Sequence, residues 1–326
     1  MIDIKKLTKK VAKNKKTIVF PEAGFCERMV EVGKIINKKK IANVVFVGDE
    51  SAFVLKYKHL EGITIINPKT HDLLDEFARI IYEKRKHKGI SLEDAKNEAL
   101  DPICFGTMLV ECGVADCMVA GTATSTANVL RPALRLAKKT SDHICSCNIL
   151  YGKNKAFDGG NGLLILSDCG LVINPSAQQI AQSAISSANT LKKLFNIKPK
   201  VALLSYSTHK SADGESAEKM RQVVQILKEK QVDFQFDGEF QFDTAINLST
   251  RLKKCANSSL EGQANVLIFP DLASANICYK ALESFGGLCN IGPITQGFEN
   301  PINDASRGAT IKDILELCII TLLQVK

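Results

Sequence analysis

Three side chains near one end of the chain have the types and spacing to do chemistry together: Ser306, Arg307 and Asp313. A guanidinium grips phosphate with two parallel hydrogen bonds. A serine hydroxyl can donate to a developing oxyanion. A nearby carboxylate can take a proton. Gly308 marks a turn, and Asp313, seven residues after the serine, falls on what reads as the first turn of the last helix. With no metal ligands alongside, the trio suits acyl transfer to or from phosphate. Taken alone, a Ser-Arg-Gly turn has a plainer reading as a helix cap.

A second group lies in Gly121-Thr-Ala-Thr-Ser-Thr126, which follows an apolar strand and opens a helix. Backbone N–H groups and the helix dipole hold anions in that geometry. The hydroxyls of Thr124, Ser125 and Thr126 add donors, and Arg131 follows just before Pro132. The loop is neither a P-loop nor a dinucleotide fingerprint, and an ordinary capped crossover would also explain it. Leu204-Ser-Tyr-Ser-Thr-His209 repeats the pattern, making Ser205, Tyr206 and Ser207 candidates for binding, with a plain polar loop as the alternative. Asp271 reads as a helix cap. Arg28 and Arg85 read singly as surface arginines; with Arg131 and Arg307 they could line one anionic cleft if folding gathers them.

Short apolar runs alternating with amphipathic stretches must position these groups, the signature of α/β architecture. Strands are expected at 17–20, 41–48, 63–66, 116–120, 162–166, 171–173, 200–204 and 266–269, with another through 143–147. Helices are expected near the start and at 27–37, 73–87, from 91, from about 128, 178–195, 216–230 and 311–323. The stretch 148–161, rich in Gly, Asn and Lys, suggests a hairpin or exposed crossover. Two α/β domains follow, residues 1–146 with 299–326, and residues 147–298.

Composition narrows the function classes. The 326 residues are enough for two cored domains. No apolar run is long enough for a membrane helix, and the basic N-terminus lacks the apolar core of a signal peptide. The net charge of +8 comes largely from lysine runs without interleaved aromatics, so solvated helix faces explain it better than a nucleic-acid surface. A mild positive field still favours small anions. Eleven scattered cysteines imply reduced thiols and a cytoplasmic location. His143, Cys145 and Cys147 share one strand face, but with no fourth ligand nearby they read as core residues rather than a metal site.

The motifs together resemble the phosphate acetyltransferase family, in its short form, over essentially the whole length. The residues that carry the resemblance are Arg85-Lys-His-Lys-Gly-Ile90, Leu130-Arg-Pro-Ala133, Ala202-Leu-Leu-Ser-Tyr-Ser-Thr208, Phe236-Asp-Gly-Glu239, Ile268-Phe-Pro-Asp-Leu272, Gly292-Pro-Ile-Thr-Gln-Gly297 and Pro301-Ile-Asn-Asp-Ala-Ser-Arg-Gly308. The resemblance implies two three-layer α/β domains with a cleft between them, similar to isocitrate and isopropylmalate dehydrogenases, in a homodimer. It implies reversible acetyl transfer between acetyl phosphate and coenzyme A, with coenzyme A as substrate and no tightly bound cofactor or metal. Asp313 matches the family's proposed general base and Ser306 the residue that stabilises the transition state. Arg307 matches the phosphate-binding arginine, and Arg28, Arg85 and Arg131 match arginines tied to coenzyme A or acetyl phosphate. Departures fall at 156–162, at Ala309, where some members carry cysteine, and at Thr124, where some carry histidine.

Alternatives of other kinds are a butyryl or other acyl phosphate transferase, a nicotinamide-dependent decarboxylating dehydrogenase, and a non-catalytic phosphate or coenzyme A sensor. The proton chemistry sets one further expectation. A free thiol has a pKa near ~8.5 and an ordinary aspartate near ~3.9, so transfer between them is uphill by roughly 6 kcal/mol. Either a dry pocket must raise Asp313, or nearby arginines must lower the thiol.

Overall fold

Four apolar runs in the first half of the chain become parallel strands, joined by a fifth from near its end. The computed structural model describes residues 2–152 and 162–326. Packing divides the chain into two units: Asp3–Thr140 with Phe298–Lys326, and Ser141–Gly297.

The first unit runs α1 (Ile4–Val11), β1 (Thr17–Phe20), α2 (Glu27–Lys38), β2 (Asn43–Val47), α3 (Glu50–Lys56), β3 (Thr64–Ile66), α4 (Leu74–Arg85), α5 (Leu92–Ala99), α6 (Pro102–Glu111), β4 (Cys117–Ala120) and α7 (Thr126–Leu136). Its remaining elements come after the second unit. The second unit holds β5 (Cys145–Tyr151), β6 (Leu163–Ser167), α8 (Ala177–Phe195), β7 (Lys200–Leu204), α9 (Glu215–Glu229), β8 (Gln235–Phe240), α10 (Phe242–Ile246), α11 (Leu248–Lys254), β9 (Val266–Ile268), α12 (Leu272–Ser284) and β10 (Cys289–Gln296). The chain then returns to the first unit as β11 (Ile302–Asp304) and α13 (Ile311–Gln324).

In the first unit the strand order is β11-β4-β1-β2-β3, parallel throughout. Such a sheet is covered on its faces, so its strands read as unbroken apolar runs; Ile18, Val19, Phe20 and the whole of β4 are buried. Gly33 lets α2 come close to β2: a Cβ there would stand 2.4 Å from the Phe46 ring. The carboxyl ends of β11, β4 and β1 are neighbours, so the loops that follow them meet although nearly 200 residues separate two of them.

The second unit has a mixed sheet, β10-β5-β6-β9-β7-β8, with β5 antiparallel to both β10 and β6. Strands β5 and β6 pair antiparallel on either side of the stretch expected as a hairpin or exposed crossover at 148–161; residues 153–161, with most of the expected departure at 156–162, lie outside the described residues. Cys145 and Cys147 lie in the core, both bonded to the Gln296 amide. His143 reaches Ser183 through Nε2 at 3.1 Å.

The strand expected at 171–173 does not form. The buried Asp168 carboxylate takes the N–H groups of Gly170, Leu171 and Val172, so they are withdrawn from any ladder. Helix α6 escaped the periodicity reading because it is buried nearly all round, from Ile103 to Val110. Its start was nonetheless written locally: Asp101 caps Ile103 and Cys104, with Pro102 in the first turn. Among the described residues, no helix is long and apolar enough to cross a membrane.

Candidate active site

The candidate site of the first unit stands at the carboxyl edge of its sheet. Strand β4 ends at Ala120 and the chain turns sharply through Gly121, whose φ of 97° lies in the left-handed region. A Cβ on Gly121 would stand 1.9 Å from Asp304 Oδ1, so only glycine lets the two loops approach here. Helix α7 then opens at Thr126, capped by the Ser125 hydroxyl, which accepts from Asn128 N at 3.3 Å. Thr124 Oγ1 accepts from Asn128 Nδ2 at 3.2 Å. Each of these hydroxyls accepts inside the loop, and a hydroxyl that accepts still has its own proton to donate.

A buried carboxylate shapes the start of the same loop. Glu22, at the end of β1 and fully buried, accepts at 2.8 Å from both Thr122 N and Thr122 Oγ1, and takes Ala123 N at 3.3 Å. Arg28, in the first turn of α2, ties this loop to the next. Its Nη2 donates to Thr122 O at 2.8 Å, and its Nη1 donates to Arg307 O at 3.0 Å and Ala309 O at 2.6 Å. Three of the five guanidinium donors thus hold backbone carbonyls. The structure makes Arg28 a clip between the hydroxyl loop and the Ser-Arg-Gly turn, a role the sequence reading did not contain.

That turn follows β11. Ser306 O accepts from Ala309 N at 2.9 Å, and the exposed Ser306 hydroxyl accepts from Gly308 N at 3.3 Å. The cap of the last helix is Thr310, not the Ser-Arg-Gly turn. Thr310 and Asp313 form a capping box: Asp313 Oδ2 accepts from Thr310 N at 2.9 Å and from Thr310 Oγ1 at 2.7 Å. Asp313 is therefore placed in the first turn of α13, half-buried within its own unit, with one oxygen engaged by its cap.

Just before the turn, Asp304 is buried, 2% exposed. Its Oδ2 is bonded to the Thr126 hydroxyl, and its buried Oδ1 has no hydrogen-bond partner among the described residues. Burial pushes this carboxyl up to about 7, helped by the negative charge of Glu22; the Thr126 hydrogen bond and Arg307 pull the other way without prevailing. Sequence reasoning passed over both Asp304 and Glu22, although Asp304 sits inside a motif that carried the resemblance. An acidic residue beside a strand end carries no local mark of burial.

Beside the hydroxyl loop, a cavity of about 450 Å³ is lined by residues that include Thr124, Asn128, Arg131, Arg135, Glu98 and Phe25. Arg135 pairs with Glu98 at 2.9 Å. Among the described residues, Arg131 and Arg307 form no ion pair. Two cations without carboxylate partners among the described residues, with the Thr124 and Ser125 hydroxyls nearby, have the chemistry that could hold an anion. Arg85 ends α4, with its Nε buried and without a hydrogen-bond partner among the described residues.

The second unit corrects one expectation. Ser207, read as a binding hydroxyl, is fully buried; it donates to Glu239 Oε1 at 2.7 Å and accepts from Ala212 N at 3.1 Å, so both its capacities serve the fold. Ser205 accepts from Ser207 N, and Tyr206, half exposed, donates to Asp213 O at 3.0 Å.

The chain matches proteins of known family over nearly its whole length. The family model described as Phosphate acetyl/butaryl transferase matches residues 3–322. A phosphate acetyltransferase from Acetivibrio thermocellus is 41% identical over 313 residues, covering 95% of this chain and 94% of its own. The crystal structure of a phosphotransacetylase from Streptococcus pyogenes superposes with a TM-score of 0.90 at 35% identity, covering 99% of each chain. The EutD phosphotransacetylase from Staphylococcus aureus gives 0.85 at 32%, covering 99% of this chain and 98% of that one. The chain is an acyltransferase with phosphate acetyltransferase function and belongs to the phosphate acetyl/butyryl transferase family.

Proposed function

We propose that the chain moves an acetyl group reversibly between acetyl phosphate and coenzyme A by direct attack of the coenzyme A thiolate, with no acyl-enzyme intermediate. The observation that supports this most is the pair of arginines without carboxylate partners, Arg131 and Arg307, beside the hydroxyl loop that Arg28 ties to the Ser306 turn. Arg307 and Arg131 hold the phosphoryl oxygens, helped by Thr124 and Ser125. Ser306 donates to the carbonyl oxygen as charge builds there.

Asp313 takes the thiol proton. Its half-exposed place in a capping box favours the second of the two proton routes, in which the arginines lower the thiol. Arg85 contributes to holding coenzyme A or acetyl phosphate, and Ser205 and Tyr206 remain candidates for substrate contacts within their own unit. Coenzyme A and acetyl phosphate enter as substrates, and no tightly bound cofactor takes part. The two units form the domains, with the first boundary ahead of β5 rather than inside it. Each is a three-layer α/β domain of isocitrate dehydrogenase type, and the molecule works as a cytoplasmic homodimer.

The deciding assay mixes purified protein with acetyl phosphate and coenzyme A, without added metal, and follows thioester absorbance. Parallel kcat/KM values with propionyl and butyryl phosphate set the chain-length preference, expected to favour acetyl. Covalent acetyl-protein trapped during turnover would overturn direct transfer, and a butyryl preference would overturn the acetyl assignment.

A further inference from the structure

One group at this edge has no part in the scheme above. Asp304 is buried under the hydroxyl loop, bonded on one oxygen to Thr126 and unbonded on the other. Its backbone neighbour is locked as well, Ala305 N donating to Ala120 O at 2.6 Å, so the carboxyl cannot swing out without parting two paired strands. Thr126, by contrast, is exposed in the first turn of α7, at the end where an anion would sit.

A hydroxyl has one proton to give. While Asp304 is ionised, that proton points inward to the carboxylate, and Thr126 presents a lone pair to whatever arrives. Once Asp304 is protonated, its own O–H donates to Thr126 Oγ1. The threonine proton is then free to rotate outward toward an anion. We propose that Asp304 and Thr126 form a hydroxyl relay in which binding of a dianion at the 121–126 loop draws one proton from solvent onto the Asp304 carboxyl. The inference rests on the anion-binding reading of that loop and assigns Asp304 a positioning role.

The surroundings favour the same coupling. The charged groups acting on Asp304 are Glu22, from the loop after β1, and Arg307, from the turn before α13. Glu22 already opposes ionisation, and Arg307 supports it. A bound dianion adds negative charge and engages Arg307, so both changes raise the affinity of Asp304 for a proton. Without a ligand the carboxyl titrates at about 7, so uptake would occur within the working range of pH.

The test is calorimetric titration of the intact protein with sulfate, a dianion that does not itself titrate between pH 6 and pH 8.5. Paired buffers of different ionisation enthalpy count the protons taken up. The wild type is expected to take up close to one proton per sulfate at pH 8 and almost none at pH 6, with affinity falling about tenfold per pH unit above 7. Asp304→Asn fixes the inner group as a permanent donor, so uptake should vanish and affinity become independent of pH. Should that variant fail to fold, the outer half of the relay decides: Thr126→Ser should keep the uptake and Thr126→Val should lose it. Absence of uptake in the wild type, unchanged uptake in Asp304→Asn or Thr126→Val, or no sulfate binding at all would overturn the relay. Normal acetyl transfer without proton uptake sinks the relay alone, whereas uptake without thioester formation sinks the catalytic reading alone.

Discussion

Two loops in this chain look alike in sequence and differ in what surrounds them. Each follows a buried parallel strand and carries three hydroxyl side chains, 124–126 in one unit and 205–207 in the other. In the first loop Thr124 and Ser125 keep their protons for an outside acceptor, and Arg131 and Arg307 have no ion-pair partner among the described residues. In the second, Ser207 is sealed against Glu239, which also takes Lys210 N at 2.8 Å and Arg221 Nη1 at 3.0 Å. What separates the loop proposed to bind from the structural one is where the neighbouring charge is neutralised, not the number of hydroxyls.

The comparison breaks most sharply at its arginines. Arg307→Ala should lower kcat/KM about a thousandfold, or ~4 kcal/mol, because the phosphoryl group loses a charge-assisted partner. Arg307→Lys should do nearly as much harm, since a single ammonium cannot reproduce the paired donors. Asp313→Asn should lower kcat about a hundredfold or more with little change in KM. Arg221→Ala, in α9 and bonded to the Glu239 that seals the second loop, should leave turnover per folded molecule near wild type while lowering the melting temperature. A lysine variant with full activity would remove Arg307 from the phosphate.

The next largest effect belongs to the sealed loop. Glu239→Gln leaves Arg221 without its inner partner and should destabilise the second unit by about 3 kcal/mol, read by denaturant unfolding. Its pH dependence has a definite sign. Burial pushes Glu239 up, but the Lys210 N–H, the Ser207 hydroxyl, its own backbone N–H and Arg221 outweigh burial and leave the carboxyl below its usual value. The stabilisation is therefore present above the unfolded carboxylate pKa of ~4.3 and is lost as acid titrates the folded group below it. A Gln variant with the same acid unfolding curve as wild type would show that this network does not hold the loop.

Asp304 should behave in the opposite sense. Its folded pKa is raised from 3.8 to about 7, so between those values the native state holds a proton that the unfolded chain has released. Stability should then fall with rising pH by roughly 1.4 kcal/mol per unit, or 2–3 kcal/mol from pH 5 to pH 7, and level off above that. Asp304→Asn should flatten this part of the curve. Parallel wild-type and variant curves would mean that the carboxyl is ionised throughout.

How far all this was legible follows from what each residue responds to. Strands such as 17–20 and 200–204, and the capped helices after Ser91 and Thr310, are fixed by local pattern, and the fold follows it. The Ser306, Arg307 and Thr124 neighbourhood could be named because strand-end loops of a parallel sheet are where groups converge. The burial of Ser207, the clip made by Arg28 and the proton-holding environment of Asp304 all depend on partners from about 30 to nearly 280 residues away. Leu171–Val172 shows the same limit from the other side: one carboxylate nearby in sequence cancelled an apolar strand signal.

The smallest effect is also the most discriminating, because it takes one hydroxyl from each loop. Ser207→Ala removes one donor from the buried Glu239 and leaves the partly buried Ala212 N without its acceptor. A cost of about 1–2 kcal/mol in stability is expected, with kcat/KM changed less than about threefold. Thr124→Ala removes a hydroxyl that only accepts from Asn128 within the loop. Stability should move by less than about 0.5 kcal/mol, while KM for acetyl phosphate rises about fivefold. If the two substitutions exchanged their signatures, with Ser207 moving KM and Thr124 moving only the melting temperature, the anion would have to be sought in the second unit.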